Sequence, residues 1–189
     1  MKRTLKFYND YNKDINKLLK SLNLNQIEFF KTEIKKRKNK KNASVYILGN
    51  GGSISTANHI TVDLIKNAKV SAKSLYNDNL ITCFSNDYGG DNWMKKYLEY
   101  YCNKDDFVIF LSVSGKSKNI LNAAKFCKKK SYNFFSMTGM NKRNPLNNIS
   151  KNKIWISSKS YNKVEIIHFI ILASIVDKII GKDVYTSSL

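Results

Sequence analysis

With 189 residues and 42% hydrophobic side chains, the chain has the size of one domain with its own core. Its formal net charge of +19 is almost all lysine, since only Arg3, Arg37 and Arg143 are arginines, and in a chain rich in Asn, Ile and Tyr this reads as solvated lysine faces. Nucleic acid is therefore not expected as a partner: the run "KKRKNKK" (35–41) reads as a solvated helix end. Three scattered cysteines exclude a disulfide framework and a cysteine zinc site, and the apolar run 166–176 is far short of the ~20 residues of a membrane span, so a cytoplasmic protein with no membrane partner is expected.

Residues 1 to about 38 carry Leu5, Tyr8, Ile15, Leu18, Leu19, Leu22, Ile27, Phe30 and Ile34 at helical spacing, predicting one long helix or two joined near Asn23 to Asn25. This helical segment, about 1–40, precedes the α/β part of a single 1–189 domain. "SVYILG" (44–49) predicts a buried strand closed by glycine, and a helix begins within 53–67. "LITCFSND" (80–87) is a short apolar segment, followed by a Gly-Gly break and an aromatic helix over 91–102. An apolar strand at 107–111 runs into the hydroxyl-rich loop "SVSGKS" (112–117), and a helix from about 118 ends in lysines, which suit a helix C-terminus. Further strands are expected at 132–139 and 152–158, then a long helix over about 160 to 180. Strands alternating with helices mean a doubly wound α/β fold, a parallel sheet flanked by helices, whose ligands sit at the carboxyl ends of the strands.

Two loops fall at such ends: "GNGGS" (49–53) and "SVSGKS" (112–117). Glycine lets backbone N–H groups approach a ligand, Ser adds donors, and a following helix N-terminus adds positive potential, so the pair fits a phosphate. No G-x-x-x-x-G-K-[ST] nucleotide loop is present. Ile54 stands where the third glycine of a dinucleotide fingerprint would be, and Ser112 breaks the G-x-S-x-G elbow. A small phosphorylated metabolite without a nucleotide remains.

The pattern "GNGGS", "ND" (86–87), "SVSGKS" and "TG" (138–139) resembles the sugar isomerase (SIS) domain family, and within it the phosphoheptose isomerases, over nearly the whole chain. The resemblance implies that Ser112, Ser114 and Ser117 hold the phosphate of a phosphorylated sugar. Val113, where the family has Thr, keeps only its backbone donors. Asn50, Gly51, Gly52 and Ser53 would face the sugar, with Asn86 and Asp87 on its hydroxyls. It also implies a homotetramer with sites shared between subunits, many such enzymes binding zinc. A C-terminal helix as apolar as "VEIIHFIILASIVDKII" fits burial between protomers.

The family interconverts aldose and ketose through an enediol, with a glutamate base four residues after a histidine. Here His59 is followed by Asp63, one methylene shorter. In the last helix Glu165 stands at the family's Gln and Ala173 at its final His, leaving Asp63 and Glu165 as the catalytic carboxylates. His59, Asp63 and Glu165 could form a three-ligand zinc site with water. His168 reads as an interior histidine with its polar atoms satisfied. Two readings follow: an isomerase acting on sedoheptulose 7-phosphate or a related sugar phosphate, and a non-catalytic phosphosugar-binding module similar to the SIS regulators that bind the bacterial replication initiator.

Overall fold

In the computed structural model, which describes residues 2–75 and 77–183, the chain alternates helices and parallel strands. The expected 1–189 span extends past these at Met1 and at 184–189. α1 (Lys2–Lys20) and α2 (Leu24–Lys35) are separate helices, and the break falls at Asn23 because its side chain accepts from the N–H groups of Asn25 and Gln26 and so caps α2. Then follow β1 (Val45–Leu48), α3 (Gly52–Lys66), β2 (Ala72–Ser74), α4 (Asp78–Tyr88), α5 (Trp93–Tyr101), β3 (Phe107–Ser112) and α6 (Lys118–Lys129). The chain continues through β4 (Asn133–Thr138), α7 (Pro145–Ile149), β5 (Asn152–Trp155) and α8 (Tyr161–Ile180).

Three elements differ from the sequence reading. The apolar segment 80–87 lies inside α4, where Leu80, Ile81 and Phe84 recur at helical spacing and Asn77 caps the start by accepting from the N–H of Leu80. β2 and α7 had no foreshadowing. β2 is a three-residue edge strand whose pairing with β1 defines it, and α7 is a single turn opened by Pro145 behind the Asn144 cap. The strands expected at 132–139 and 152–158 shorten to β4 and β5.

All strands are parallel, in the order β2-β1-β3-β4-β5. Alternation along them splits the core in two. Val45, Ile47, Phe107, Ile109, Phe135 and Met137 face α2, α3 and α8, whereas Tyr46, Leu48, Val108 and Phe110 face α5 and α6. β1 and β3 are buried on both faces, hence their unbroken apolar runs. Their amino ends are pinned: the Asp106 carboxylate accepts from the N–H groups of Ser44 and Asn103, both at 2.7 Å. Buried Arg37 donates to Glu33 and to the carbonyls of Asp105 and Asp106. Burial pushes the Glu33 carboxyl up, but hydrogen bonds from Lys36 and Arg37 outweigh it and hold the group below its ordinary range. Both carboxyl ends are thereby left to the loops before α3 and α6.

Candidate functional site

Pairing of Leu48 with Phe110 brings the 49–51 and 113–117 loops side by side at the carboxyl edge of the sheet. Between them lies a cavity of about 260 Å³. The first loop contributes Asn50, Gly51, Gly52 and Ser53, the second Ser112, Val113, Ser114 and Ser117, and α8 closes the side with Tyr161 and Glu165. A wider groove of about 410 Å³ between α5 and α6 is lined by Lys95, Lys125, Lys129 and Lys130. Its one carboxylate, Glu99, is taken up by Lys95 and Lys96, so that groove holds no spare acid or base.

The cavity's electrostatics come from helix ends. α2, α4, α7 and α8 each start with an Asn or Ser side chain capping their leading amides. α3, α5 and α6 have no side-chain bond from the N-cap residue, and of these α3 and α6 start at the cavity, the Ile120 N–H of α6 being taken by Asn119 Oδ1. Their partial positive charge is left to whatever lies between them. Three serines of the second loop line the same cavity. Ser112 Oγ accepts from the N–H of Gly115 and Ser114 Oγ from that of Lys116, each at 3.2 Å. A hydroxyl whose oxygen is occupied by an amide still has its proton to give outward. Ser117 is the uncapped N-cap of α6, with its hydroxyl free of the helix. Val113 contributes backbone only, its carbonyl being bonded by the N–H of Gly139 at 2.9 Å.

Two glycines are dictated by close approach. A Cβ on Gly52 would lie 2.6 Å from a Glu165 carboxylate oxygen, so Gly52 is what lets Glu165 reach the first turn of α3. Gly115 has φ +62°, and a side chain there would meet Asn144. The two loops are also tied to each other. The Asn50 Nδ2 donates to Asn119 Oδ1 at 3.0 Å, and the Asn119 Nδ2 donates back to Asn50 Oδ1 at 2.9 Å. Asn50 therefore lines the cavity, as expected, with one N–H and one oxygen lone pair of its side chain given to Asn119 and the others left over. Asn119 and Tyr161 were missed in the sequence. The only signal for Tyr161 was its place four residues before Glu165, on the same helix face.

The other expected residues are not gathered into this cavity. His59 and Asp63 form a pair, Nε2 to Oδ2 3.2 Å, further along α3, with Asp63 also accepting from Asn67 at 3.0 Å. At 1.5 Å per residue they lie roughly 10 Å and 16 Å along the axis from Gly52. His59 is exposed and meets Phe169 of α8 edge-on, ring centroids 5.0 Å apart. Asn86 and Asp87 are exposed on the last turn of α4, bonded to each other at 3.0 Å, and do not line the cavity. Among the described residues no group of three His, Cys, Asp or Glu side chains comes together to hold a metal. One chain thus does not assemble the expected zinc set of His59, Asp63 and Glu165. His168 is interior as expected, but neither ring nitrogen has a hydrogen-bond partner, and burial pushes its pKa down to about 4 despite a slight opposing pull from the Thr138 backbone. No helix among the described residues is long and apolar enough to cross a membrane.

No family model matches the chain. Curated relatives do: a phosphoheptose isomerase of Helicobacter pylori (strain P12) is 29% identical over 141 residues, covering 70% of this chain and 72% of the relative. Another, from Cytophaga hutchinsonii, is 34% identical over 105 residues, 53% of this chain and little more than half, 55%, of that relative. Among solved structures, a phosphoheptose isomerase from Francisella tularensis superposes with a TM-score of 0.83, covering 96% of this chain and 98% of that one at 22% identity, a likeness of fold.

Proposed function

Starting from a chain that carries the sugar isomerase (SIS) fold and has phosphoheptose isomerases among its sequence relatives, we propose that it interconverts sedoheptulose 7-phosphate and D-glycero-D-manno-heptose 7-phosphate. The observation that carries the reading is the convergence of two uncapped helix N-termini and three serines on a cavity whose other wall holds a carboxylate. The phosphate is the anion that fits between α3 and α6, and it anchors the sugar with its carbonyl end directed toward Glu165. A carboxylate takes the proton from C1 of the ketose, the C1–C2 double bond of an enediol forms as the O1 proton passes to O2, and the carboxylate returns its proton to C2 while the carbonyl forms at C1.

Glu165 is the carboxylate in the cavity and is assigned this proton transfer. The His59–Asp63 pair serves the same chemistry from a neighbouring subunit. It emerges on a face where Val62, Ile65, Ile166 and Ile170 are exposed, an apolar area that a further copy of the chain would cover, as in a homotetramer with shared sites. Ala173 favours a second reading. Without a histidine there, the same cradle could bind a phosphosugar and release it unchanged. Incubating the protein with sedoheptulose 7-phosphate and following the aldose separates the two: turnover supports the isomerase, and saturable binding without turnover overturns it in favour of the binding module.

A further inference from the structure

Tyr161 is the first residue of α8 and a wall of the cavity, yet it is 55% exposed and its hydroxyl makes no hydrogen bond to a described residue. Its position along the cavity is fixed by its neighbours. Glu165, one turn later, lies against Gly52 of the first loop. Val164 packs where a Gly139 side chain would be, and Gly139 in turn donates to Val113 of the second loop. Tyr161, a turn nearer the start of α8, lines the same cavity as Ser112, Ser114 and Ser117 of that loop. A phenol is a neutral donor that can reach an anion without placing a second charge beside the Glu165 carboxylate.

We infer that Tyr161 is a substrate-binding residue whose phenol donates a hydrogen bond to the phosphate held by Ser112, Ser114 and Ser117. The inference rests on the phosphosugar reading above. It makes the anion site a joint product of the 112–117 loop and α8, so that phosphate recognition and the Glu165 carboxylate are carried on a single helix.

The test is calorimetric titration of the full chain and of Tyr161→Phe with inorganic phosphate, sedoheptulose 7-phosphate and unphosphorylated sedoheptulose, alongside steady-state kinetics. Losing one hydrogen bond to a charged group is expected to weaken phosphate and phosphosugar binding about tenfold. KM should rise while kcat stays within about twofold, the signature of binding shared by ground and transition states. Unchanged affinity for inorganic phosphate, or an equal loss for the unphosphorylated sugar, overturns the assignment. If the unsubstituted protein binds the phosphosugar without turning it over, the isomerase reading fails, while the phosphate titrations still decide the role of Tyr161. If it binds neither phosphate nor phosphosugar, both fall.

Discussion

At Gly52 the missing side chain is what the chemistry needs. An added methyl group would stand 2.6 Å from the Glu165 carboxylate, and the flexible carboxylate, not the backbone, would give way. Gly52→Ala is therefore expected to leave the thermal midpoint unchanged while activity falls on the order of a hundredfold, the usual result of moving a reacting group by ~1 Å. A thermal melt beside a rate measurement checks it, and a variant that melts lower yet keeps full activity would contradict the contact. His168 makes a different prediction at the same scale. Held at a pKa of about 4 in the folded chain against an ordinary 6.5, it refuses a proton that the unfolded chain accepts. Stability attributable to it is whole above about pH 6.5 and lost as the pH falls toward 4, an amount on the order of 3 kcal/mol. Urea midpoints at pH 7 and pH 4.5 should separate in the unsubstituted protein and draw together in His168→Leu; the same separation in both would remove His168 as the cause.

Between elements, the reciprocal amides of Asn50 and Asn119 join the loop before α3 to the first turn of α6. Asn119 Oδ1 also accepts from the N–H of Ile120 at 3.0 Å, so the clasp is anchored in the helix it holds. Each amide gives one N–H and one oxygen lone pair to the other, so the clasp sets the gap between two helix ends and both act as positioning residues. Asn50→Ala and Asn119→Ala are expected to raise KM for the phosphosugar by a similar factor, with the double variant no worse than either single one. The matching coupling energy in stability is about 1 kcal/mol. Additive effects in a double-mutant cycle would mean that the two asparagines act separately.

At the level of the whole molecule, the cavity with its serines and Glu165 sits at one end of α3, and the His59–Asp63 pair lies on the exposed face beyond it. If a neighbouring subunit brings that pair to the cavity, sites made of complementary parts can be rebuilt from inactive subunits. Ser114→Ala and Asp63→Asn should each depress activity about tenfold or more. Subunits unfolded and refolded as a mixture should recover a fraction of the lost activity, because some mixed sites then hold an intact Ser114 and an intact Asp63. No recovery in the mixture, with both variants assembling normally by light scattering, would place the whole site within one chain.

What the sequence determined by itself is what local chemistry determines. The apolar runs at 45–48 and 107–111, each closed by glycine or serine, read as strands covered on both faces, whereas the choice between one N-terminal helix and two was settled by the Asn23 cap of α2. Glycine and serine after each strand mark helix starts, and so the two loops that line one cavity were legible in the sequence. The helix at 78–88 and the edge strand at 72–74 were not, because a short apolar run carries too few turns to fix its period and a three-residue strand exists only through its partner. The site's finer composition also belonged to tertiary structure. Tyr161 and Glu165 lie more than a hundred residues from Gly52, and only the packing of α8 against α3 brings them to one cavity and leaves His59, Asp63, Asn86 and Asp87 outside it. Spacing along a chain predicts which residues share a helix face; which faces meet is decided by how the helices cover the sheet.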